Sequence, residues 1–514
     1  MNGANIDQLV DLLGRWASGR GPLYLLLATR LRVLIDDGVL PPGALLPPDR
    51  VLARRLAVGR GTVVAAYELL QREGRVLRRQ GSGTRVAEVD LPSTRTADGV
   101  TANPLLLHIL HPPDGVTLLT CAAPDEPPPE LAEAYEEAAG RLAGMRDLGY
   151  QPAGQPELRE AVAAYYRRRG LRTTAEEIIV TTGAQQALTL LAGLLVSPGD
   201  RVLTESPTYP GALEVFRHAA AALRPVTLDP LVERLGTNRP EPPGHPRRSP
   251  EPAAGSPGEP RRHPQPVDLV PAMRERPALL YTVPTASNPA GSIMESAIRR
   301  RVAAVAAEHD MPVIDDEVCA ELCFDAEVPA PLAAYTTGEQ VITVASLSKV
   351  VWGGLRIGWI RAPAPLAARL ARLRAVHDLG GDAVSQLAAA ALLHRLDEIK
   401  RARVRVLRAR HDHLCGELRD RLPSWSFEPA EGGQTIWVRL PRGEADSFAQ
   451  VALRHGVAVP PGRAFDPLGG LADRIRLHFQ LPEAELSAAV RALASAWHAY
   501  DDTQRLSSRP TLVV

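Results

Sequence analysis

Apolar residues between positions 22 and 38 recur three and four apart: Leu23, Leu26, Leu27, Leu31, Leu34 and Ile35. That spacing puts one apolar stripe on a helix, ended by Gly38 and the turn Leu40-Pro41-Pro42-Gly43. The pattern then predicts a short helix from Asp49 to Leu56, a tight turn at Ala57 to Arg60, and a second helix from about Gly61 to Glu73, stopped by Gly74. Two short extended pieces flank Gly81-Ser82-Gly83. Residues 87–104 lose all periodicity and are rich in Thr, Ser, Asp and Pro, which predicts a linker. Beyond it helical and strand patterns alternate to the C-terminus. Ile178-Ile179-Val180 and Val313-Ile314 read as short buried strands, and Val341-Ile342-Thr343-Val344 as a strand opening into a loop. Such alternation predicts an α/β domain with a mostly parallel sheet. From Pro240 to Pro266 the pattern breaks: 10 of 27 residues are proline, which leaves no packed element and predicts a disordered surface insertion.

Helix, short helix, turn, helix and glycine-tipped hairpin is the order of an α+β winged helix-turn-helix, here spanning 20–86. Charge changes the picture for that module. The chain of 514 residues is formally neutral, yet Arg20 to Val86 holds 12 arginines against 5 acids. A basic module on a neutral chain points to a polyanion partner for that module alone. No run of 18 apolar residues suits a membrane span, and the N-terminus lacks the signature of a signal peptide. Four cysteines form no disulfide framework, and Cys319 with Cys323 lacks the second pair of a zinc site, so no metal and a cytoplasmic location are expected.

Lysine usage is the sharpest compositional clue. Of 59 basic residues only Lys349 and Lys400 are lysine. Arginine stays protonated and forms no stable imine, whereas a lysine amine can do covalent carbonyl chemistry. Lys400 falls in the basic amphipathic stretch Ile399-Lys400-Arg401-Ala402-Arg403 and reads as helix surface. Lys349, in Ser346-Leu347-Ser348-Lys349, follows a strand end, where sites usually sit.

Four blocks in order carry a resemblance to the GntR-type winged helix: Leu40-Pro41-Pro42-Gly43, Leu46-Pro47-Pro48-Asp49-Arg50, Thr62-Val63 with Ala66-Tyr67, and Gly81-Ser82-Gly83-Thr84. The resemblance implies binding to a double-stranded DNA operator. Arg60 and Thr62 lie at the helix end that would enter the major groove, where arginine reads guanine edges and threonine offers hydroxyl or methyl. Arg50 matches the family's DNA-contacting arginine, Arg78 and Arg79 flank the wing, and Gly81 permits close approach to the backbone. Gly59 stands where the family often has a serine cap.

From about Leu118 to Tyr500 the chain resembles fold-type I aminotransferases, which implies a domain over 105–504 with a smaller C-terminal α/β subdomain and pyridoxal 5'-phosphate as cofactor. That cofactor needs a lysine for its aldehyde, donors for its phosphate, a carboxylate for its ring nitrogen and a face for stacking. Carried over residue by residue, Lys349 matches the cofactor-bonding lysine and Arg356, in Gly353-Gly354-Leu355-Arg356, the phosphate arginine, with Ser346 and Ser348 as further donors. Gly183, Ala184 and Gln185 open an apolar helix whose N–H groups suit an anion. Tyr209 matches the stacking aromatic, Asn288 the partner of the ring hydroxyl, and Asp316 the ring-nitrogen carboxylate, with Asp315 as the other choice. Tyr150 matches a tyrosine given to the partner subunit's phosphate, and Arg476 the arginine for a substrate or effector α-carboxylate. The same register puts Cys319 where aminotransferases carry a tyrosine.

Both resemblances together are those of a MocR/GabR-type regulator. They imply a domain-swapped homodimer that senses the cofactor, or a small amino compound through aldimine chemistry at Lys349. The other readings are a working aminotransferase with an attached helix-turn-helix, which Cys319 disfavours, and a scaffold that has lost its cofactor, which the retention of Lys349 and Arg356 disfavours.

Overall fold

The computed structural model describes residues 22–36, 39–79, 83–87, 115–228, 269–324 and 327–507, with positions 9, 10, 13 and 16 ahead of them. Gly81, the linker from residue 88 onward and the insertion 240–266 lie outside the described residues. The chain divides into two compact units, 1–111 and 112–514.

In the first unit, helix α1 (Leu23–Asp36) lays Leu27, Ala28, Leu31 and Leu34 against Val63, Ala66, Tyr67 and Leu70 of α3 (Arg60–Arg72). The short helix α2 (Asp49–Arg55) precedes α3 and buries Leu52 and Ala53 in the same core. Helix α3 begins at Arg60, one residue ahead of the expected start, because extended Gly59 takes the N-cap position. Strands β1 (Leu45–Leu46), β2 (Val76–Arg79) and β3 (Gly83–Val86) form an antiparallel sheet in the order β1-β3-β2. Along β3, Thr84 and Val86 turn inward and Arg85 outward, the period of a half-buried strand. The Tyr67 hydroxyl, fully buried, donates to the Pro47 carbonyl at 2.9 Å and ties α3 to the turn entering α2.

The second unit is built on a seven-stranded sheet. Its strands are β5 (Ile178–Thr181), β6 (Arg201–Glu205), β7 (Ala222–Val226), β8 (Leu279–Thr282), β9 (Val313–Asp316), β10 (Val341–Ser346) and β11 (Gly358–Arg361). The order is β5-β11-β10-β9-β8-β6-β7, and only β11 runs against the others. Strands β5, β8, β9 and β10 are buried on both faces, which is why apolar residues occupy consecutive positions in each. One face carries Ile179, Tyr281, Ile314, Val344 and Ile360, against helices α4 (Ala184–Leu195) and α5 (Pro210–His218). The other carries Val180, Leu280, Val313, Ala345 and Trp359. Farther along, β12 (Ser426–Phe427), β13 (Thr435–Arg439) and β15 (Arg474–His478) form an antiparallel sheet, and β4 (Thr117–Leu118) pairs in parallel with β14 (Val457–Ala458). Trp425, Phe448 and Trp497 pack edge to face in this subdomain, with centroids 5.4–5.7 Å apart. No helix among the described residues is long and apolar enough to cross a membrane.

Candidate functional sites

In a parallel sheet the loops leaving the carboxyl ends of the strands converge, and ligands bind there. Thr181, Gly358 and Ser346 are register neighbours on β5, β11 and β10, so the loops after β5 and β10 lie side by side. Gly183 is the N-cap of α4, at φ +117. A Cβ there would sit 2.9 Å from the Arg356 guanidinium, and one at Gly358 would sit 2.8 Å from the Gly183 backbone. The approach to backbone at Gly358 and the positive φ at Gly183 demand glycine. The first-turn N–H groups of α4 have no intrahelical acceptors, so Ala184 and Gln185 offer donors beside a cation. Arg356 is exposed and holds a left-handed backbone, φ 55, a conformation kept at a cost of about 1 kcal/mol or more where the surroundings fix it. Ser346 Oγ lies 2.8 Å from Ser348 Oγ and accepts from the Ser348 N–H at 3.1 Å.

Beside this cradle lies Lys349. Its ammonium donates to the Ala122 carbonyl, and its own carbonyl accepts from Gln434 at 3.2 Å. Asp315 and Asp316 end β9 on opposite faces. Asp316 shares the face of Ile314 and accepts from the Tyr281 hydroxyl at 2.6 Å and the Val318 N–H at 3.0 Å. Asp315 points the other way and accepts from the Leu332 N–H at 2.8 Å. Burial pushes the Asp316 carboxyl above its ordinary range, while the Tyr281 hydrogen bond and the charge of Lys349 pull it back. Glu317, next in line, makes a two-point pair with Arg169 at 2.7 and 2.8 Å.

Tyr209 caps α5 and is half-buried; its hydroxyl donates to Gln185 at 3.2 Å, and Gln185 in turn donates to Gly211 O at 3.0 Å. Burial raises its hydroxyl to about 12, with Asp316, Arg476, Cys121 and Cys319 as electrostatic neighbours. Arg476, on β15, is 4% exposed. It donates to Asn288 Oδ1 at 3.3 Å and to the Thr120 carbonyl, and lies over the Phe465 ring at 5.1 Å. No acid pairs with it among the described residues, and its buried Nε has no acceptor. Burial lowers it to about 10. Cys319 faces the same pocket, its thiol pushed up to about 11 by burial.

The structure thus brings together Lys349, Asp316, Tyr209, Asn288 and Arg476, next to the cradle of Gly183, Ala184, Arg356, Ser346 and Ser348. It does not bring Tyr150 there: that side chain is 66% exposed. Four participants carry no signal in the sequence pattern. Tyr281 looked like an ordinary strand residue. The Thr120 and Ala122 carbonyls have no side-chain signature. His478 follows Arg476 by two on the same strand face; its Nε2 lies 2.9 Å from Leu118 O and its Nδ1 accepts from the Gln480 N–H at 3.2 Å. These bonds suit the neutral ring, and burial lowers it to about 4.

The residues fit pyridoxal phosphate on physical grounds. A glycine cradle that any side chain would fill faces a cation and free N–H groups. A lysine stands near a buried carboxylate, and a buried arginine has no acid paired with it among the described residues.

In the first unit the arginines gather around Asp49. Arg60 Nε lies 3.0 Å from Asp49 Oδ2, Arg78 Nη2 lies 3.8 Å from the same oxygen, and the Arg50 N–H donates to Oδ1 at 2.9 Å. Arg50 and Arg60 are exposed and Thr62 is half-buried. The side chain of Arg79 is outside the described residues, as is Gly81. Lys400 pairs with Glu321 at 2.9 Å and Asp397 at 3.5 Å, on the helix α6 (Leu396–Arg421).

Comparison with known proteins agrees with both units. Residues 23–86 match the bacterial regulatory proteins of the gntR family, and residues 114–236 and 258–493 match aminotransferase class I and II, passing over 237–257. The HTH-type transcriptional regulator YisV of Bacillus subtilis is 28% identical over 94% of this chain and 98% of its own. The probable rhizopine catabolism regulatory protein MocR of Rhizobium meliloti is 29% identical over 67% of this chain and 66% of its own. The solved structure of LysN, an alpha-aminoadipate aminotransferase from Thermus thermophilus holding N-(5'-phosphopyridoxyl)-L-leucine, matches with a TM-score of 0.63 and 26% identity over 78% of this chain and 95% of that one. The chain belongs to the aminotransferase class I and II family and carries a gntR-type DNA-binding domain at its N-terminus, the architecture of MocR-type transcription regulators.

Proposed function

We propose that this DNA-binding regulator loads pyridoxal phosphate on Lys349 and senses an amino compound bearing a carboxylate. The observation that carries the reading is the buried Arg476, with no acid paired to it among the described residues, beside Asn288 and Tyr209 and in the same pocket as Lys349. When bound, the cofactor supplies a reactive carbonyl carbon and an electron-withdrawing ring. Arg356, Ser346, Ser348 and the N–H groups of Gly183, Ala184 and Gln185 hold its phosphate. Asp316, kept in place by Tyr281, would face the ring nitrogen and hold a proton there. Tyr209 stacks on the ring and Asn288 bonds the ring hydroxyl. Arg476 holds the effector carboxylate. Exposed Tyr150 completes the phosphate site of a second copy in a domain-swapped dimer, whose two heads read paired half-sites on operator DNA in the cytoplasm. The effector changes DNA affinity only by as much as the two states of the dimer differ in holding it.

The test is the visible absorption of the purified protein with pyridoxal phosphate, beside Lys349→Ala and Lys400→Ala. The band of the lysine-bound cofactor is expected in wild type and Lys400→Ala and absent in Lys349→Ala. A wild type with no band and no lysine adduct after borohydride overturns the reading. A second reading, a working aminotransferase, is favoured by the likeness to LysN over most of the unit and disfavoured by Cys319. Steady keto-acid production from a cofactor-loaded sample would select it.

A further inference from the structure

Asp49 stands at a junction that DNA binding alone does not explain. Its carboxylate is a negative charge set among the arginines expected to meet phosphates, and by simple electrostatics it opposes binding. Yet it is anchored there with care. The turn that carries it is held by the fully buried Tyr67, whose hydroxyl donates to Pro47 O at 2.9 Å. The Arg50 N–H fixes Oδ1 at 2.9 Å. Its side chain is only 15% exposed, and its other oxygen receives Arg60 Nε at 3.0 Å, with Arg78 Nη2 at 3.8 Å. Burial works against its charge, but the Arg60 hydrogen bond, the Arg50 N–H and the charges of Arg60 and Arg78 hold the carboxyl below the ordinary range, so it stays ionised.

The geometry at Arg60 gives this carboxylate a use. A guanidinium offers five N–H groups in a fixed plane. Spending Nε on Asp49 leaves both terminal nitrogens, the pair that bonds O6 and N7 of guanine together. The Arg60 side chain is 56% exposed, so those nitrogens reach solvent while the stem is tethered. A long arginine free to turn would lose its rotamer entropy on binding; a tethered one has lost much of it beforehand.

We infer that Asp49 is a positioning residue for sequence discrimination: it aims Arg60 at a base edge and holds the wing residue Arg78 beside it, at some cost in overall DNA affinity. The inference rests on the reading of Arg60 as a base contact. Asp49 touches no base itself. A role confined to helix α2, where an acid in the first turn favours the helix dipole, would move stability and leave discrimination alone.

The experiment uses the full chain. Duplexes enriched by wild type from a random pool supply the preferred site, and an unrelated duplex of equal length supplies the reference. Asp49→Ala is expected to bind the unrelated duplex more tightly than wild type and to lose about tenfold of its preference for the enriched site, the size of one bidentate contact. Asp49→Asn should do the same with the fold undisturbed, and Asp49→Glu should regain part of the preference. Arg60→Ala should relax the same base pair. If Arg60→Ala leaves the preference intact, the reading of Arg60 as a base contact fails and the inference falls with it. If Arg60→Ala relaxes that base pair and neither Asp49→Ala nor Asp49→Asn does, the positioning role alone is overturned. A parallel loss of both affinities with a fall in the melting temperature of both variants also overturns it, in favour of a structural role.

Discussion

Arg60 and Arg476 carry the same guanidinium into opposite surroundings. Arg60 opens α3, its side chain is 56% exposed, and it leans on a carboxylate 3.0 Å away. Arg476 is 4% exposed; its guanidinium bonds to the carbonyl of Thr120 and the amide of Asn288 and lies over the face of Phe465, with no acid paired to it among the described residues. In water an ion pair is worth about 0–1 kcal/mol, so Asp49 can orient Arg60 without locking it away from DNA. In a pocket a cation without an acid is costly to keep, and a bound anion is what makes the arrangement favourable. A missing carboxylate is uninformative beside an exposed arginine; beside Arg476 it counts because the buried Nε has no acceptor either, whereas fully buried Arg299 spends its N–H groups on Met294 O, Pro284 O and Thr285 Oγ1.

The most severe way to break this contrast is Arg476→Met. Effector binding to the cofactor-loaded protein, followed by visible spectroscopy, should weaken by about 2–5 kcal/mol, the cost of truncating one partner of a buried charged contact. The melting temperature of the ligand-free variant should hold or rise, because an apolar side chain replaces an unpaired buried cation. A clear fall in melting temperature with effector binding retained would make Arg476 a structural residue and dissolve the comparison.

The next test concerns His478, two residues along the same strand face. Its folded value, about 4, lies below the ordinary 6.5, so the unfolded chain binds the extra proton between those limits. Stability from this residue is therefore full above about pH 6.5 and is lost as pH falls toward 4. At pH 5 the loss should be about 2 kcal/mol. Urea unfolding of wild type against His478→Asn, at pH 7 and pH 5, checks it: the difference between the two proteins should shrink or reverse at the lower pH. A constant difference would show that the ring is not held neutral, and that the pocket around Arg476 is wetter than its burial implies.

The mildest test returns to the exposed side. A side chain at Gly59 would meet nothing within 4 Å, and the N-cap of α3 has no side-chain hydrogen bond. Gly59→Ser should add about a few tenths of a kcal/mol to the stability of the first unit, read as a small rise in its melting temperature. A fall would mean that the extended backbone at Gly59 depends on glycine after all.

What the sequence displayed and what it hid follow from where the information resides. The helices of the first unit and the strands β5, β9 and β10 were legible because side-chain periodicity encodes them. Lys349 was legible because the chain uses lysine only twice. Asp316 and Asp315 could be told apart as to face only once the pleat was known, since adjacent strand residues point to opposite sides. The contacts of Lys349 with Ala122 and of Arg476 with Thr120 span 227 and 356 residues and end on backbone carbonyls, which every residue has. Tyr150, 66% exposed, takes no part in the site of its own chain, and the role expected of it lies in a second copy, on which the single chain is silent.

Lys400 has an analytical consequence. Burial works to release its proton, but the charges and hydrogen bonds of Glu321 and Asp397 prevail and raise its affinity for that proton. A protonated amine is no nucleophile, so the second of the chain's two lysines is a poor trap for a carbonyl compound. After borohydride reduction, the intact-mass spectrum of the whole chain should resolve into two species, zero and one adduct. Their ratio reads the fraction of loaded chains directly, without digestion.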